Sequence, residues 1–592
     1  MHSCGILIVL CIGSLSSTSA EIPMVEQLLT DYWDWRISST PEFASFVGIH
    51  DYDDQLDSMT LLEYESRLVE SHVFLDRVNF ILAINLTLTH ADEVNLKILK
   101  DELQTFIEGY PYAGYLLPLS YSEGVHVDFE RLVTWMVFET VEDYGKLLSR
   151  FHLLPQQLAE IEALMREGVA RGIVQHAITM KGVGESLGRF VVGTAEESPL
   201  WSTFTSFPDG FTEEQIQSLQ ERARNVITSE ISPAFETLRN YVNNEYVTRP
   251  NIAVTSLPDG VQRYNQLLRF HTSTNLGVSD IHQLGLDEVT RIEGEMAKVI
   301  EELGYDMSVP EFSDMIRNDS KFYLNDPDEM MAYFEHLSYD VIPPELPKVF
   351  MNLPETELKL VARPSPDGTA AFYMTGSYDG SRPGIFFVNT YFYDKQPTYE
   401  IMTLSLHEGN PGHHLQGSHS LESSSMPFFR RVMEDRNYYQ APSRFPMNTG
   451  FLEGWGLYSE SLGFDMGLFG DPYDRYGHYS FEIFRACRLV VDTGMHALGW
   501  TRQEAVDFMT QHSALSLKNI ENEVDRYITQ PGQAVAYKVG QLTISNLRAR
   551  AAAELGEAFD IRKFHDLVLD SAGPLVFVEE EVDAWIAAGG GK

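Results

Sequence analysis

The stretch that decides the fold is Thr398-Tyr-Glu-Ile-Met-Thr-Leu-Ser-Leu-His-Glu-Gly-Asn-Pro-Gly-His-His-Leu-Gln-Gly-Ser-His419. Four of the chain's 18 histidines and one glutamate lie within its last 13 residues, a density that core packing does not explain. The apolar residues before His407 recur at roughly helical spacing, so we expect a core helix that ends near His407 and Glu408. Asn410-Pro411-Gly412 then breaks this helix, and Pro411 suits the first position of a new one. The pattern predicts histidines that line a helix-break-helix corner.

The spacing of these histidines departs from the ordinary zinc-protease pattern. That pattern places two histidines four residues apart on one helical face, with the general-base glutamate between them. Here the fourth residue after His407 is Pro411, and the next histidines follow at six and seven residues. An unbroken helix would separate His407 and His414 by about 10 Å along its axis, too far for one zinc ion. If the break loops out two residues, His413 becomes the second ligand; if it loops out three, His414 does. We favour His413 and keep His414 as the alternative.

A candidate third ligand lies in Phe451-Leu-Glu-Gly-Trp-Gly-Leu-Tyr-Ser-Glu460. Glu453 follows the histidines at a distance typical of a helix-loop-helix connection. Glu453 and Glu460 are seven residues apart, so they share one face of any helix formed there. A lone His-Glu pair or a lone acidic helix is usually a solvated surface feature. The two together favour a zinc site in which Glu408 is the general base.

Both segments resemble known peptidase motifs. His407-Glu-Gly-Asn-Pro-Gly-His-His414 resembles the signature of the family catalogued as domain of unknown function 885, predicted zinc metallopeptidases with a mostly helical fold similar to thimet oligopeptidase and angiotensin-converting enzyme. Glu453-Gly-Trp-Gly-Leu-Tyr-Ser-Glu460 is similar to a segment of aminopeptidases of the aminopeptidase N type, whose first glutamate binds zinc. The resemblance therefore implies Glu453 as the third ligand. Three further stretches match the same family: His282-Gln-Leu-Gly-Leu-Asp-Glu-Val-Thr-Arg-Ile, Asp379-Gly-Ser-Arg-Pro-Gly384, and the segment from Asp525 to Gly540.

The rest of the chain predicts a mainly α protein, and the resemblance implies a neurolysin-like metallopeptidase fold. Helical periodicity runs through most of residues 21–340 and resumes after Glu460. Between these regions lie three short runs of β-branched and aromatic residues bounded by Pro- and Gly-containing turns, at residues 358–362, 371–374 and 385–390. We expect a helical N-terminal half at 21–340. A catalytic half at 341–592 should then carry a small sheet beside the metal site.

The amino terminus indicates export. Residues 1–20 have no charged side chain, contain an apolar run at residues 5–13 and end in small residues, which predicts a secretory signal peptide. Two of the three cysteines lie in that segment, so Cys487 has no partner for an intrachain disulfide in the mature chain. Asn85-Leu-Thr87 and Asn318-Asp-Ser320 fit the glycosylation pattern. We expect a secreted protein, outside the cell or in the lumen of the secretory pathway, with no membrane anchor after cleavage.

The chain is strongly acidic. It carries 86 acidic and 43 basic residues, for a net charge of −43. This charge argues against nucleic acid and anionic membranes as partners. It favours the attraction of cationic substrates, an effect that salt weakens.

These features together predict a secreted zinc-dependent peptidase that hydrolyses di- to oligopeptides. Zn²⁺ would activate a water molecule, Glu408 would accept its proton, and Glu460 would orient a ligating histidine. Arg526, Tyr527 and Tyr537 flank a Pro-Gly break and are candidates to donate to the oxyanion or to hold a peptide carboxylate. Two alternatives stay open: a zinc hydrolase of a non-peptide amide, and a non-catalytic binding protein that retains the fold.

Overall fold

The computed structural model describes residues 22–84, 87–365, 369–432 and 437–591. The predicted signal peptide and the first glycosylation site, Asn85, lie outside these residues. Helices make up most of the described chain, which confirms the expected mainly α class. The helices before the sheet are α1 (Ile22–Ser39), α2 (Pro41–Val47), α3 (Leu61–Ala83), α4 (His90–Gly109), α5 (Val125–Trp135), α6 (Val141–Arg171), α7 (Val183–Gly188), α8 (Glu213–Val226), α9 (Ser232–Asn244), α10 (Gly260–Thr272), α11 (Val278–Glu302), α12 (Val309–Arg317) and α13 (Pro327–His336).

The helices after the sheet carry the residues singled out from the sequence. They are α14 (Thr398–Glu408), α15 (His413–Glu422), α16 (Phe428–Arg431), α17 (Thr449–Met466), α18 (Pro472–Ala497), α19 (Arg502–His512), α20 (Leu517–Thr529), α21 (Gln533–Leu555), α22 (Ile561–Asp570) and α23 (Leu575–Ala587).

Local sequence signals place many of the helix starts. Thr60, Thr89, Thr140 and Thr212 each precede a helix, and each hydroxyl accepts a hydrogen bond from the backbone N–H three residues later. Such caps satisfy a donor that the first turn of a helix leaves unpaired. Helices α8 and α9 are joined without a break by a single π-helical turn at Ile227–Ile231.

The three predicted strands form one small sheet. They are β1 (Leu358–Ala362), β2 (Ala371–Met374) and β3 (Gly384–Val388). The strand order is β1-β3-β2, with β1 parallel and β2 antiparallel to the central strand β3. Both β2 and β3 lie against α15, and β2 also contacts α14. The sheet is therefore next to the helix-break-helix corner, as the sequence predicted.

Glycines allow α17 and α21 to pack closely behind that corner. A Cβ atom on Gly454 would lie 2.5 Å from the Cα of Gly540, and one on Gly540 would lie 1.8 Å from the carbonyl oxygen of Gly450. Contacts this short exclude any side chain at these positions. The close packing brings residues of α21 to the face of α17 that carries Glu453.

Core packing crosses the sequence boundary near residue 340. Val289, Ile292 and Met296 of α11 pack in one cluster with Ile483 and Val491 of α18. The two predicted halves therefore differ in secondary structure but share a core. Within the described residues, no helix is both long and apolar enough to cross a membrane.

Candidate metal centre

The chain breaks between α14 and α15 where the sequence predicted. Helix α14 ends at Glu408 and α15 begins at His413. The new helix thus starts two residues later than the expected position, Pro411, which lies in the turn itself. The carbonyl oxygen of Pro411 accepts a 2.9 Å hydrogen bond from Nε1 of Trp455, so α17 holds the turn in place. A Cβ on Gly412 would lie 1.9 Å from the carbonyl oxygen of His407, so only glycine allows so tight a return.

The break brings two histidines and a glutamate together. Nε2 of His413 lies 3.4 Å from Oε2 of Glu453, and Nε2 of His407 lies 3.7 Å from the same oxygen. One ligand atom from each residue lies within 4.8 Å of the others. Two imidazole nitrogens and a carboxylate are a donor set that fits Zn²⁺, with one coordination position left for water or substrate.

His407 is held from behind by Glu460. Its Nδ1 lies 2.8 Å from Oε1 of Glu460, whose side chain is fully buried. Nη2 of Arg485 lies 3.6 Å from the same oxygen. A hydrogen bond from Nδ1 to a carboxylate leaves the Nε2 lone pair free to face a metal.

The electrostatics of the cluster favour a positive charge. Burial alone would lower the pKa of His407, but hydrogen bonds to Glu453 and Glu460 raise it to about 9. Burial alone would raise the pKa of Glu453, but His407 and His413 hold it well below its usual range. The carboxylates thus stabilise a cation at the position where the three ligand atoms converge.

Gly456 lies directly against both imidazoles. A Cβ there would lie 2.9 Å from Cε1 of His407 and 3.0 Å from Cε1 of His413. The sequence analysis did not single out this glycine. Its place in α17, three residues after Glu453 on the same face of the helix, was the available signal.

His414 is turned away from this cluster. Its buried ring packs against Tyr373 of β2, and its Nδ1 lies 3.1 Å from the Tyr373 hydroxyl. Burial lowers the pKa of His414 to about 4, so the ring is neutral. The geometry therefore favours His413 over the alternative ligand His414. Nothing in the sequence paired His414 with a tyrosine 41 residues earlier.

Glu408 is the last residue of α14 and adjoins His407. Its side chain is largely buried, and its negative charge contributes to the raised pKa of His407. The Glu408 carboxylate makes no hydrogen bond to another part of the described chain. It therefore remains available to exchange a proton with a molecule at the cluster.

The three candidate substrate residues have different surroundings. The Tyr537 hydroxyl accepts from Nη2 of Arg526 at 3.2 Å, and burial and the nearby charge of Glu453 raise the pKa of Tyr537. Tyr537 is thus near enough to Glu453 to respond to its charge, and Arg526 is hydrogen-bonded to Tyr537. Tyr527 is buried, donates to Glu523 at 2.8 Å and accepts from Arg488 at 3.0 Å. These partners occupy the hydrogen and one lone pair of the Tyr527 hydroxyl, and its role toward the substrate stays a prediction.

The fold and the cluster together define a mainly helical protein with a candidate mononuclear metal centre. The chain belongs to the family described as "Bacterial protein of unknown function (DUF885)", whose profile matches residues 41–582. No curated protein matches the chain at a significant level.

Two solved structures share the fold. A protein of Colwellia psychrerythraea described as a "putative lipoprotein" has 26% sequence identity and a TM-score of 0.87, with 95% of this chain and 99% of that chain covered. A protein of Shewanella oneidensis described as a "putative lipoprotein of unknown function" has 16% identity and a TM-score of 0.63, with the same coverage. The second likeness supports the fold alone.

Proposed function

We propose that this protein is a zinc-dependent peptidase of the neurolysin and thimet oligopeptidase type, acting on short peptides. The observation that carries the proposal is the convergence of His407, His413 and Glu453, with Glu408 next to it in sequence. Zinc at this position would supply Lewis-acid chemistry by polarising a carbonyl and making a coordinated water more acidic.

The residues of the chain then have separate tasks. Glu408 accepts the proton of the attacking water as its oxygen bonds to the scissile carbonyl carbon. The hydroxyl group of Tyr537 donates a hydrogen bond to the oxyanion that develops on the carbonyl oxygen. Glu408 then delivers the proton to the amide nitrogen as the C–N bond breaks, which yields a carboxylic acid and an amine; proton transfer between these products leaves a carboxylate and an ammonium group. Glu460 keeps His407 in one tautomer and orientation throughout.

The preference for short peptides rests on the depth of the site. Glu453 is 18% exposed, yet burial is the largest influence on its pKa. A partly accessible side chain in largely buried surroundings supports a recessed site, and we propose that this site admits an extended peptide and excludes a folded protein.

We further propose that the protein acts outside the cytoplasm. The apolar segment at residues 5–13 supports export. The description of the Colwellia psychrerythraea relative as a "putative lipoprotein" is consistent with a place in the cell envelope or outside the cell.

A peptide-library digest read by mass spectrometry, with and without a chelator, tests the function. We expect chelator-sensitive cleavage of di- to oligopeptides, restored by Zn²⁺, and one zinc per chain by metal analysis. Zinc-loaded protein that cleaves only non-peptide amides would favour the first alternative. Protein that binds peptides without cleaving them would favour a binding protein.

A further inference from the structure

A corner of the protein near the candidate metal cluster contains an accessible arginine. Arg526, near the end of α20, is hydrogen-bonded to Tyr537 of α21. The pKa of Tyr537 is raised by burial and by the negative charge of Glu453. On the opposite side, Tyr121, which precedes α5, is close enough for the charge of Arg526 to influence its pKa. The corner therefore joins the N-terminal helices to the helices of the metal centre.

This corner is accessible to solvent. The side chain of Arg526 is 26% exposed, and Tyr121 is 37% exposed. Burial is nevertheless the largest influence on the pKa of each group. It raises the pKa of Tyr121 to about 12. For Arg526 it acts to lower the pKa, although nearby charges and hydrogen bonds raise that pKa overall. Both side chains are thus partly accessible, so a ligand can reach them.

Several N–H groups of the Arg526 guanidinium have no acceptor among the described residues. Its Nη2 donates to Oε1 of Gln533 at 3.1 Å and to the Tyr537 hydroxyl at 3.2 Å, which holds the guanidinium in place. Its Nη1 lies 3.7 Å from Glu523, beyond hydrogen-bond distance. In the described part of the chain, Nε and Nη1 donate to no other group. Three of the five N–H donors of the guanidinium are thus available to a ligand.

The local charge is positive in a chain whose net charge is −43. Arg488 lies over the Tyr537 ring at 4.5 Å. Its Nη2 lies 2.9 Å from Glu523, the same carboxylate that faces Arg526. The two guanidinium groups therefore share the carboxylate of Glu523, so these three side chains together carry one net positive charge. A substrate ammonium would be repelled here, whereas a carboxylate would complete the charge balance.

We propose that Arg526 binds the C-terminal carboxylate of the substrate, so that the enzyme releases short fragments from the C-terminal end of peptides. The inference rests on the proposed peptidase function, because it assigns an end preference to that site. Arg526 would hold the end of the peptide while Tyr537, its neighbour, faces the scissile carbonyl. We expect the released fragment to be a few residues long, because Arg526 is hydrogen-bonded to Tyr537 and the charge of Glu453 reaches Tyr537.

The test uses N-acetylated peptides of four to eight residues, each prepared as a free acid and as a C-terminal amide. We expect the zinc-loaded protein to cleave the acids near their C-terminal end. It should cleave the amides about 10- to 100-fold more slowly, because an amide cannot make the charge-assisted hydrogen bond that a carboxylate makes with Arg526. Arg526→Gln should remove the difference between acid and amide, and Arg526→Lys should restore part of it. Arg562→Gln, the same charge change at an exposed site paired with Asp560, should leave the difference intact.

Binding separates this inference from the proposed function. In the Glu408→Gln background, isothermal titration should show tighter binding of the acid than of the amide, and the added Arg526→Gln change should abolish the difference. Cleavage without discrimination between acid and amide would overturn the inference and leave the peptidase intact. Discrimination in binding without any cleavage would support the carboxylate site and overturn the peptidase. An equal loss for acid and amide in Arg526→Gln would mean that Arg526 is only structural.

Discussion

His407 and Glu460 are joined by a 2.8 Å hydrogen bond between Nδ1 and Oε1, 53 positions apart in sequence. The bond is fully buried, so water does not compete for either partner. Glu460 shares its helix face with Glu453, which approaches the other nitrogen of the same ring. Helix α17 thus supplies both the carboxylate that orients the His407 ring through Nδ1 and the candidate ligand Glu453 on the Nε2 side of that ring.

Glu460→Gln should therefore weaken zinc binding without abolishing it. The amide oxygen can still accept from Nδ1 of His407, but the negative charge that increases the basicity of Nε2 is lost. We expect zinc affinity to fall about 10- to 100-fold, as is usual for partners of ligating histidines. Competition with a fluorescent chelator measures this loss. An unchanged affinity would show that the hydrogen bond does not support the metal.

Replacing Glu408 or Glu453 by glutamine, one at a time, should show which of the two is the general base and which is the metal ligand. Glu408→Gln removes the proton acceptor but no ligand, so we expect peptide hydrolysis to fall by about 10²–10⁴-fold. Its zinc content should stay near one per chain. Glu453→Gln should lose zinc as well as activity. Full activity in Glu408→Gln, or zinc loss there together with retention in Glu453→Gln, would reverse these assignments.

His413→Ala and His414→Ala should differ although the residues are adjacent. His413→Ala removes an imidazole 3.4 Å from Glu453, so the protein should lose zinc. His414→Ala removes a buried ring packed on Tyr373, so it should lower the free energy of unfolding but retain zinc. Metal analysis and denaturant unfolding of both variants check this prediction. Equal zinc retention in the two would refute the role of the helix break.

Gly456→Ala should displace both histidines. The new methyl group would lie about 3 Å from the two rings, at 2.9 and 3.0 Å from their Cε1 atoms, so at least one ring must move. We expect at least a tenfold loss of zinc affinity, since metal coordination tolerates displacements of only about 0.2 Å. Gly294→Ala in α11 is a matched control, because no atom lies within 4 Å of its added Cβ. Comparable zinc affinity in both variants would contradict the prediction.

Asp492 should make stability depend on pH. Its buried carboxyl group accepts from the Tyr264 hydroxyl at 2.6 Å and from the backbone N–H of Gly532. Burial raises its pKa from 3.8 to about 7. The folded state therefore keeps a proton that the unfolded state has released, and stability falls as pH rises between these values. The contribution is at most about 1.4 kcal/mol per pH unit.

Asp492→Asn removes this titration and keeps an acceptor oxygen. The parent protein should lose stability as the pH rises from 5 to 8, whereas the variant should not. The free energy of unfolding of the variant relative to the parent should therefore increase over this range. Denaturant unfolding at the two pH values measures the change, with the exposed carboxylate variant Asp507→Asn as control. A relative stability that is constant or falls over this range would show that Asp492 is ionised in the fold.

Much of this architecture was predictable because helix and strand signals are local. Apolar spacing predicted α11 and α21, and turn residues bounded the three strands. The candidate ligands His407 and Glu453 were also predictable, since residue type and helical spacing are both read along the chain. The amino-acid sequence by itself therefore determined the elements, the break between α14 and α15, and the ligand types.

The choice between His413 and His414 was decided only by the tertiary structure. Two adjacent residues at a helix start point in directions about 100° apart. Which of them faces Glu453 depends on how tightly Gly412 packs on His407 and on where Tyr373 of β2 lies. The separation of Tyr537 from Tyr527 has the same origin, since Glu523 and Arg488 occupy the hydroxyl of Tyr527. The contacts of His414 with Tyr373 and of Tyr527 with Arg488 join residues that are distant in sequence, and only the packing of whole helices and strands brings them together.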